Sequence, residues 1–479
     1  MAMQTHWLDI LPLIVLAAGG LLIFATGAFL RRHPPWLLFG LSFLTVLGAG
    51  LAAILVAPGS ADFFGLVDLG IYSQFFTILL LTVTLLTLLF LHRYSQVRGF
   101  AGDELFALII YAALGMVLIA GAKHWLIFFL GLELLSISLY VLIAIRRQET
   151  MALEAGVKYF ILGAVASAFL TFGIALLYAA TGTLEINASL AGATHAEPIP
   201  FYFLALSLIF VGIGFKTSLV PFHLWTPDVY EAAPAPVTAF LSTGSKVALF
   251  AALLRFALNL TAPAWEIAWP ALWVLAVLTM VVGNITAVYQ TRIKRLLAYS
   301  SVAQMGYLLM ALVAVKQGSL PALLFYLAVY ALMDLGAFGM LGTLSEPQAD
   351  LDELADFQGL GYSHPWRSAI FGLCLISLAG LPPTAGFLGK IFLFWAVIQA
   401  NFIILAVIGI STVVISIYFY FKVLVSLYMR PPSRELLIPP ADFAVRLAAG
   451  IIFILIVWLG VNPNPLLSVI EQISVFLLQ

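Results

Sequence analysis

Residues 214–250 read GFKTSLVPFHLWTPDVYEAAPAPVTAFLSTGSKVALF. Two lysines, Lys216 and Lys246, stand in apolar surroundings, and Pro221 comes after the first within little more than one helical turn. Proline lacks the backbone donor and its ring clashes with the preceding turn, so a helix carrying Lys216 breaks here. In lipid, freed carbonyls are tolerated only against protein or a water-lined cavity. A broken helix beside an ammonium therefore marks an internal polar site.

The rest of the chain has the same character. Its 479 residues are 63% hydrophobic and 9% charged, outside the range of soluble domains. A bilayer span needs about 20 apolar residues. By that criterion the chain divides into fourteen helical segments at 8–30, 36–57, 71–91, 105–121, 124–145, 157–180, 200–220, 236–258, 267–289, 297–315, 320–343, 366–400, 404–428 and 441–461. The expected fold is an all-α polytopic membrane protein. The twelfth segment is overlong and is interrupted by Leu381, Pro382 and Pro383. The amino terminus has no Lys or Arg before its first apolar stretch, which reads as a membrane helix rather than a cleaved signal.

Composition also excludes some functions. A net charge of −1 without long basic runs gives nucleic acid no footprint. The lone Cys374 makes no internal disulfide, and a cysteine-ligated iron–sulfur cluster needs several thiolates. Electron transfer by this chain itself is not expected.

Lys and Arg in the connections set orientation. Connections after odd-numbered segments carry Arg31, Arg32, Arg93, Arg98, Arg146, Arg147, Arg292, Lys294, Arg295, Arg367, Arg430 and Arg434; those after even-numbered ones hold little beyond Lys123, Arg255 and Lys316. Odd exits face the cytoplasm, so both termini are expected on the outer side. The two longest connections are 181–199, which includes Glu197, and 344–365. The latter carries Glu346, Asp350, Asp352, Glu353 and Asp356, and reads as a solvated loop or a docking surface for a neighbouring subunit.

Four ionisable residues lie deep in apolar segments: Glu133, Lys216, Lys246 and Lys390. Each costs roughly 2.5–3.5 kcal/mol on insertion scales, which makes each a candidate for ion or proton handling. Glu133 is either a fixed partner locking two helices or a carboxylate whose pairing changes during transport. Lys246 has Ser242 and Thr243 within reach, hydroxyls able to bind an ammonium or ordered water. Lys390 comes after a second break at Gly380 and Pro382–Pro383. His223 and Asp228 extend the polar track beyond Lys216; for His223, a helix-break hydrogen bond and proton transfer stand level. Asp334 either gates water or caps an interhelical network. Lys158 and Lys422 lie near segment ends, where snorkelling accounts for them.

Several stretches resemble a known family: GFKTSLVPFHLWTPDVYEAAPAPVTAFLSTGSKVALF, VKYFILGAVASAF at 157–169, RIKRLLAYSSVAQMGY at 292–307 and LAGLPPTAGFLGK at 378–390. The family is the antiporter-like, proton-pumping membrane subunits of respiratory complex I and their relatives in multisubunit sodium/proton antiporters. The PVTAFLS and PPTAGFLGK wording is similar to the subunit N branch of bacterial NADH-quinone oxidoreductase, equivalent to mitochondrial subunit 2. The resemblance implies fourteen helices with two inverted five-helix repeats and broken helices seven and twelve. Helices one to three would occupy 1–104, the first repeat 105–258, the second 259–428 and the last helix 429–479. It also implies a Glu133/Lys216 pair controlling one half-channel, Lys246 as the central relay and Lys390 as the terminal one. EAAPAP after Tyr230 departs from the commoner EGAPTP.

The function implied by the resemblance is that of a non-redox, proton-translocating subunit in a bacterial inner membrane. Such a subunit is embedded in the lipid bilayer beside other membrane-arm subunits and coupled indirectly to a peripheral redox arm. No cofactor is expected on this chain. NADH, FMN, iron–sulfur clusters and the quinone, ubiquinone or menaquinone, belong to other subunits. A cation/proton antiporter subunit and a structural scaffold are the alternatives.

Overall fold

The computed structural model describes residues 7–30, 35–56, 62–192, 199–348, 350–432 and 434–478; Arg31, Arg32 and Glu197 lie outside the described residues. Among the described residues the secondary structure is helical apart from one small antiparallel hairpin, β1 (Asp62–Phe63) with β2 (Val67–Asp68). The helices of its first half are α1 (Leu11–Phe29), α2 (Pro35–Leu55), α3 (Ile71–Val97), α4 (Asp103–Gly121), α5 (Trp125–Ile143), α6 (Thr150–Thr181), α7 (Ile186–Ala191), α8 (Ile199–Lys216), α9 (Thr226–Ala232) and α10 (Ala235–Phe240). Those of its second half are α11 (Lys246–Asn259), α12 (Ala262–Val288), α13 (Ile293–Val313), α14 (Leu320–Thr343), α15 (Leu360–Ser363), α16 (Pro365–Ala379), α17 (Ala385–Gln399), α18 (Ile403–Met429), α19 (Phe443–Val461) and α20 (Asn464–Leu478).

Among the described residues, 13 helical stretches are long and apolar enough to cross a bilayer, with Ala235–Asn259 counted as one. They overlap every expected segment except the twelfth, which is two short apolar helices, α16 and α17, on either side of Gly380–Thr384. Helix α20 was not anticipated, because 15 residues that include Glu471 fall short of a span. The chain is a multi-pass, all-α membrane protein.

It divides into two compact units, the first formed by Met1–Leu88, Phe100–Thr217 and Gly244–Ala268, and the second by Leu89–Gly99, Ser218–Thr243 and Trp269–Gln479. In the first, α6 lies along α8, α4 along α5, and α1 against both α2 and α4. Val157, Phe160, Val165, Phe169 and Phe172 form an exposed apolar strip on α6. Water would make that strip an aggregation site, whereas lipid solvates it. In the second unit α14 is the hub, packed by α10, α13, α16, α17, α19 and α20, with its apolar window wholly buried.

Several charges at the helix ends are paired. Lys123 and Arg255, two exceptions to the orientation count, are met by Asp62 and Asp68, each at 2.6 Å. The acidic connection after α14 is neither a simple solvated loop nor wholly a free docking surface. Its Asp350 is buried and receives Lys294 at 2.6 Å, Arg98 at 2.9 Å and the Tyr94 hydroxyl at 2.8 Å. Burial pushes the Asp350 carboxyl up, but Lys294 and Arg98 outweigh it and hold it below the usual carboxylate range. Ile293 donates its N–H to the Asp352 carbonyl at 2.7 Å, tying the connection to the start of α13.

Candidate functional site

In the first unit, Glu133 on α5 and Tyr140 lie seven residues apart, two turns along one face, with Ser136 between them. Lys216, the last residue of α8, is 5% exposed and donates from Nζ to the Tyr140 hydroxyl at 3.0 Å. Its ammonium also lies 4.9 Å from the Tyr140 ring centre, 5.0 Å from that of Tyr159 and 5.8 Å from that of Phe215. Three aromatic faces thus replace part of the hydration the cation has lost. Gly163 on α6 makes this possible, because a Cβ there would collide with the Tyr140 hydroxyl.

Glu133 stands within coulombic reach of Lys216 but is not hydrogen-bonded to it. Ser167 on α6 donates to its Oε1 at 2.5 Å. The two expected partners therefore share a cluster, with Tyr140 and Ser167 satisfying them separately. A void of about 10 Å3, close to the size of one water, is lined by Ser136, Tyr159, Lys216 and Ser245. Ser245 immediately precedes Lys246, which is fully buried at the head of α11. The turn Leu241–Ser245 is π-helical, a local widening often found at functional positions. Ser242 and Thr243 donate their hydroxyls back to the Ala239 carbonyl, at 3.2 and 2.6 Å.

The second unit holds a different arrangement. Lys390 on α17 is 4% exposed, and its Nζ donates to the carbonyls of Leu378 at 2.7 Å and Ala379 at 3.2 Å. These are the final carbonyls of α16, freed by the break, and they lie at the negative end of that helix dipole. Gly380 closes α16 at φ +82°, and a Cβ there would come within 2.7 Å of the Lys390 Cδ. The Leu378 carbonyl also accepts from the Gln304 amide at 3.4 Å. Gln304 in turn accepts from the Tyr326 hydroxyl and donates to that of Tyr420, which is joined to Ser300. Nearby, Tyr307 places its ring 5.3 Å from the Lys390 ammonium and joins its hydroxyl to Asn284 and Thr412. Asp334 on α14 is fully buried and accepts from the Tyr330 hydroxyl at 3.3 Å, while Tyr330 also meets Ser301. Asp334 thus sits in an interhelical hydrogen-bond network.

His223, in the break between α8 and α9, is 7% exposed and meets Tyr299 edge-on at 6.3 Å. Its carbonyl accepts from the Thr226 N–H at 2.9 Å, which helps start α9. Asp228 leaves the expected buried track: it pairs with Arg295 at 2.8 Å, in a partly exposed ion-pair group with Glu231 and Arg292. Lys422 caps the end of α12, donating to the Gln290 carbonyl at 2.9 Å. Tyr140, Tyr159, Ser167 and Gln304 are uncharged, so no ion in an apolar run marks them in the sequence. The i to i+7 spacing of Glu133 and Tyr140 was the available signal. Among the described residues no cluster of three His, Cys, Asp or Glu is arranged to hold a metal.

Residues 122–416, more than half the chain, match the family described as NADH:quinone oxidoreductase/Mrp antiporter, TM. NADH-quinone oxidoreductase subunit N 1 of Solidesulfovibrio magneticus is 47% identical over 96% of this chain and 97% of its own length. Subunit N of Geotalea uraniireducens is 40% identical over 99% and 100%. A chain of respiratory complex I from Thermus thermophilus superposes with a TM-score of 0.82 at 37% identity, covering 95% of this chain and 98% of that one. A chain of the Mrp complex from Dietzia reaches 0.84 at 20% identity over 97% and 96%, a likeness of fold alone. The chain belongs to the NADH:quinone oxidoreductase/Mrp antiporter family of membrane subunits, in the company of subunit N.

Proposed function

We propose that this chain is a membrane-arm subunit of a bacterial NADH-quinone oxidoreductase that moves protons through the half-buried Glu133 and the buried Lys216, Lys246 and Lys390. It does no redox chemistry itself; NADH oxidation and quinone reduction take place in other subunits. The observation that carries this is the seat of Lys216. A lysine caged by aromatic rings, bonded to one hydroxyl and lining a water-sized void beside Ser245 can exchange a proton with little rearrangement.

On this reading a proton enters from the cytoplasmic side near Glu133, loads Lys216 and passes to Lys246. Lys390, with the amide and hydroxyl groups around Gln304, is the station nearest the outer exit. Like charges in a low-dielectric path disfavour simultaneous protonation, so loading one lysine promotes release from the next. His223 and Asp334 are supporting polar positions. The architecture we infer has fourteen spans, with α8–α9 and α16–α17 as its broken helices, two inverted five-helix repeats at about 105–258 and 267–428, and both termini outside. What supports two half-sites is that a lysine stands beside each break, Lys216 ending the helix before the first and Lys390 lying beyond the second.

The test is proton translocation measured alongside quinone reduction in reconstituted, fully assembled complexes carrying Lys216→Ala or Lys246→Ala. We expect quinone reduction with a reduced proton-to-electron ratio. Normal ratios in both would leave these lysines structural. Sodium-dependent proton exchange without redox partners would favour the antiporter reading instead.

A further inference from the structure

The second unit contains a partly open cavity of about 40 Å3 at the ends of α3, α14 and α16, beside the start of α19. Arg93, Arg98 and Arg367 all line it. Three guanidinium groups around one small cavity repel one another unless an anion offsets them. The protein supplies little negative charge. Arg98 is met by Asp350, which is already shared with Lys294. Among the described residues Arg367 donates to neutral carbonyls, those of Thr343 at 2.9 Å and Pro439 at 2.8 Å, and Arg446 is a further cation within coulombic reach of it. Two further acids in this region are already engaged: Asp442 caps α19 through the Val445 N–H at 3.0 Å, and Glu346 pairs with Arg434 at 3.3 Å. Arg93 has its Nε buried with no hydrogen-bond partner among the described residues. A buried donor left in that state costs free energy that an incoming acceptor recovers.

We propose that this cavity binds a phosphate group, and that the phosphate belongs to an anionic phospholipid. A tetrahedral phosphate accepts from several directions at once, which matches guanidinium groups arriving from two helices, whereas a carboxylate satisfies one planar fork. The site lies where membrane helices end, on the side the charge count assigns to the cytoplasm, and basic pockets of this kind between helices take lipid head groups. Leu437 and Phe443, 82% and 79% exposed on the adjoining segment, offer apolar surface to acyl chains.

The test is lipid binding to the purified, delipidated complex, read by native mass spectrometry with phosphatidylglycerol, diacylglycerol or inorganic phosphate as the added probe. We expect wild-type complex to hold one phosphatidylglycerol that Arg93→Gln binds about tenfold more weakly, a loss of ~1.4 kcal/mol. Diacylglycerol, which lacks the phosphate, should not compete. Arg93→Lys, which keeps the charge but loses Nε, serves should Arg93→Gln fail to assemble, and the same direction of change is expected. Binding of inorganic phosphate that is sensitive to Arg93, without such binding of phosphatidylglycerol, would uphold the phosphate site and overturn the lipid source. Equal binding of every probe by wild type and both variants, or a neighbouring subunit's carboxylate seated on Arg93, would overturn the proposal. Neither result bears on proton translocation, which is read separately.

Discussion

Lys216 gives its hydrogen bond to the Tyr140 hydroxyl at 3.0 Å, and not to Glu133, whose carboxylate is held by Ser167. The two charged groups are thus satisfied separately, and on the proposed path the neutral Tyr140 hydroxyl is the group in direct contact with Lys216. Tyr140→Phe keeps the ring and its cation–π contact but removes the hydroxyl. A hydrogen bond to a charged group is worth about 1.5–3 kcal/mol, so proton transfer through this step should slow at least about tenfold. The proton-to-electron ratio of reconstituted complexes checks this, and an unchanged ratio would remove Tyr140 from the path.

Glu133→Gln tests the electrostatic role separately. The amide keeps nearly the same volume and can still accept from Ser167, so the helix bundle should assemble normally. What disappears is the negative charge within reach of Lys216. We expect impaired proton translocation with quinone reduction and subunit assembly retained. Loss of assembly would instead reveal Glu133 as a fixed lock between α5 and α6.

Much of this was legible in the sequence, for reasons that particular residues make clear. Hydropathy located the long apolar helices because lipid forces every backbone group into a helix; Pro221 lies between α8 and α9, and Pro382–Pro383 between α16 and α17. The buried charges stood out because an ion in an apolar run is costly. What surrounds those charges was not legible. Lys390 is held by backbone carbonyls, which every residue possesses and which leave no side-chain signature. The acidic connection looked solvated because Asp350 carries no mark of its distant partners: Arg98 is 252 residues away in sequence. Asp228 was assigned to the wrong network for the same reason, its partner Arg295 lying 67 residues on.

Gly380→Ala addresses the seat of Lys390. At φ +82° an added methyl costs roughly 1–2 kcal/mol in backbone strain alone. It would also press on the Lys390 Cδ and lever the ammonium away from the Leu378 carbonyl. Thermal stability should fall modestly and proton translocation more severely. The contrasting control is Gly182→Ala, at φ +73° with open space around its Cβ position, which bears the strain without touching a lysine. Equal translocation losses in the two variants would show that strain, and not the position of Lys390, is responsible.

The anchor at Asp350 makes a prediction about acid. Burial raises its carboxyl, but Lys294 and Arg98 lower it further, so its folded value lies below the unfolded one, near 3.8. A depressed carboxyl contributes stability that is fully present above the unfolded value and is lost as pH falls through the folded one. The tie between the acidic connection and α3 and α13 should therefore hold unchanged from neutral pH to about pH 4 and loosen only in stronger acid. Asp350→Asn removes the charge at every pH. It leaves the side chains of Lys294 and Arg98, 4% and 3% exposed, without their shared counter-ion. Breaking a buried pair in this way costs about 3–5 kcal/mol. The variant should unfold at lower temperature at pH 7, and the difference from wild type should shrink as wild type loses the same charge in acid. A constant difference down through pH 3, or none at pH 7, would show that the carboxylate does not anchor this connection.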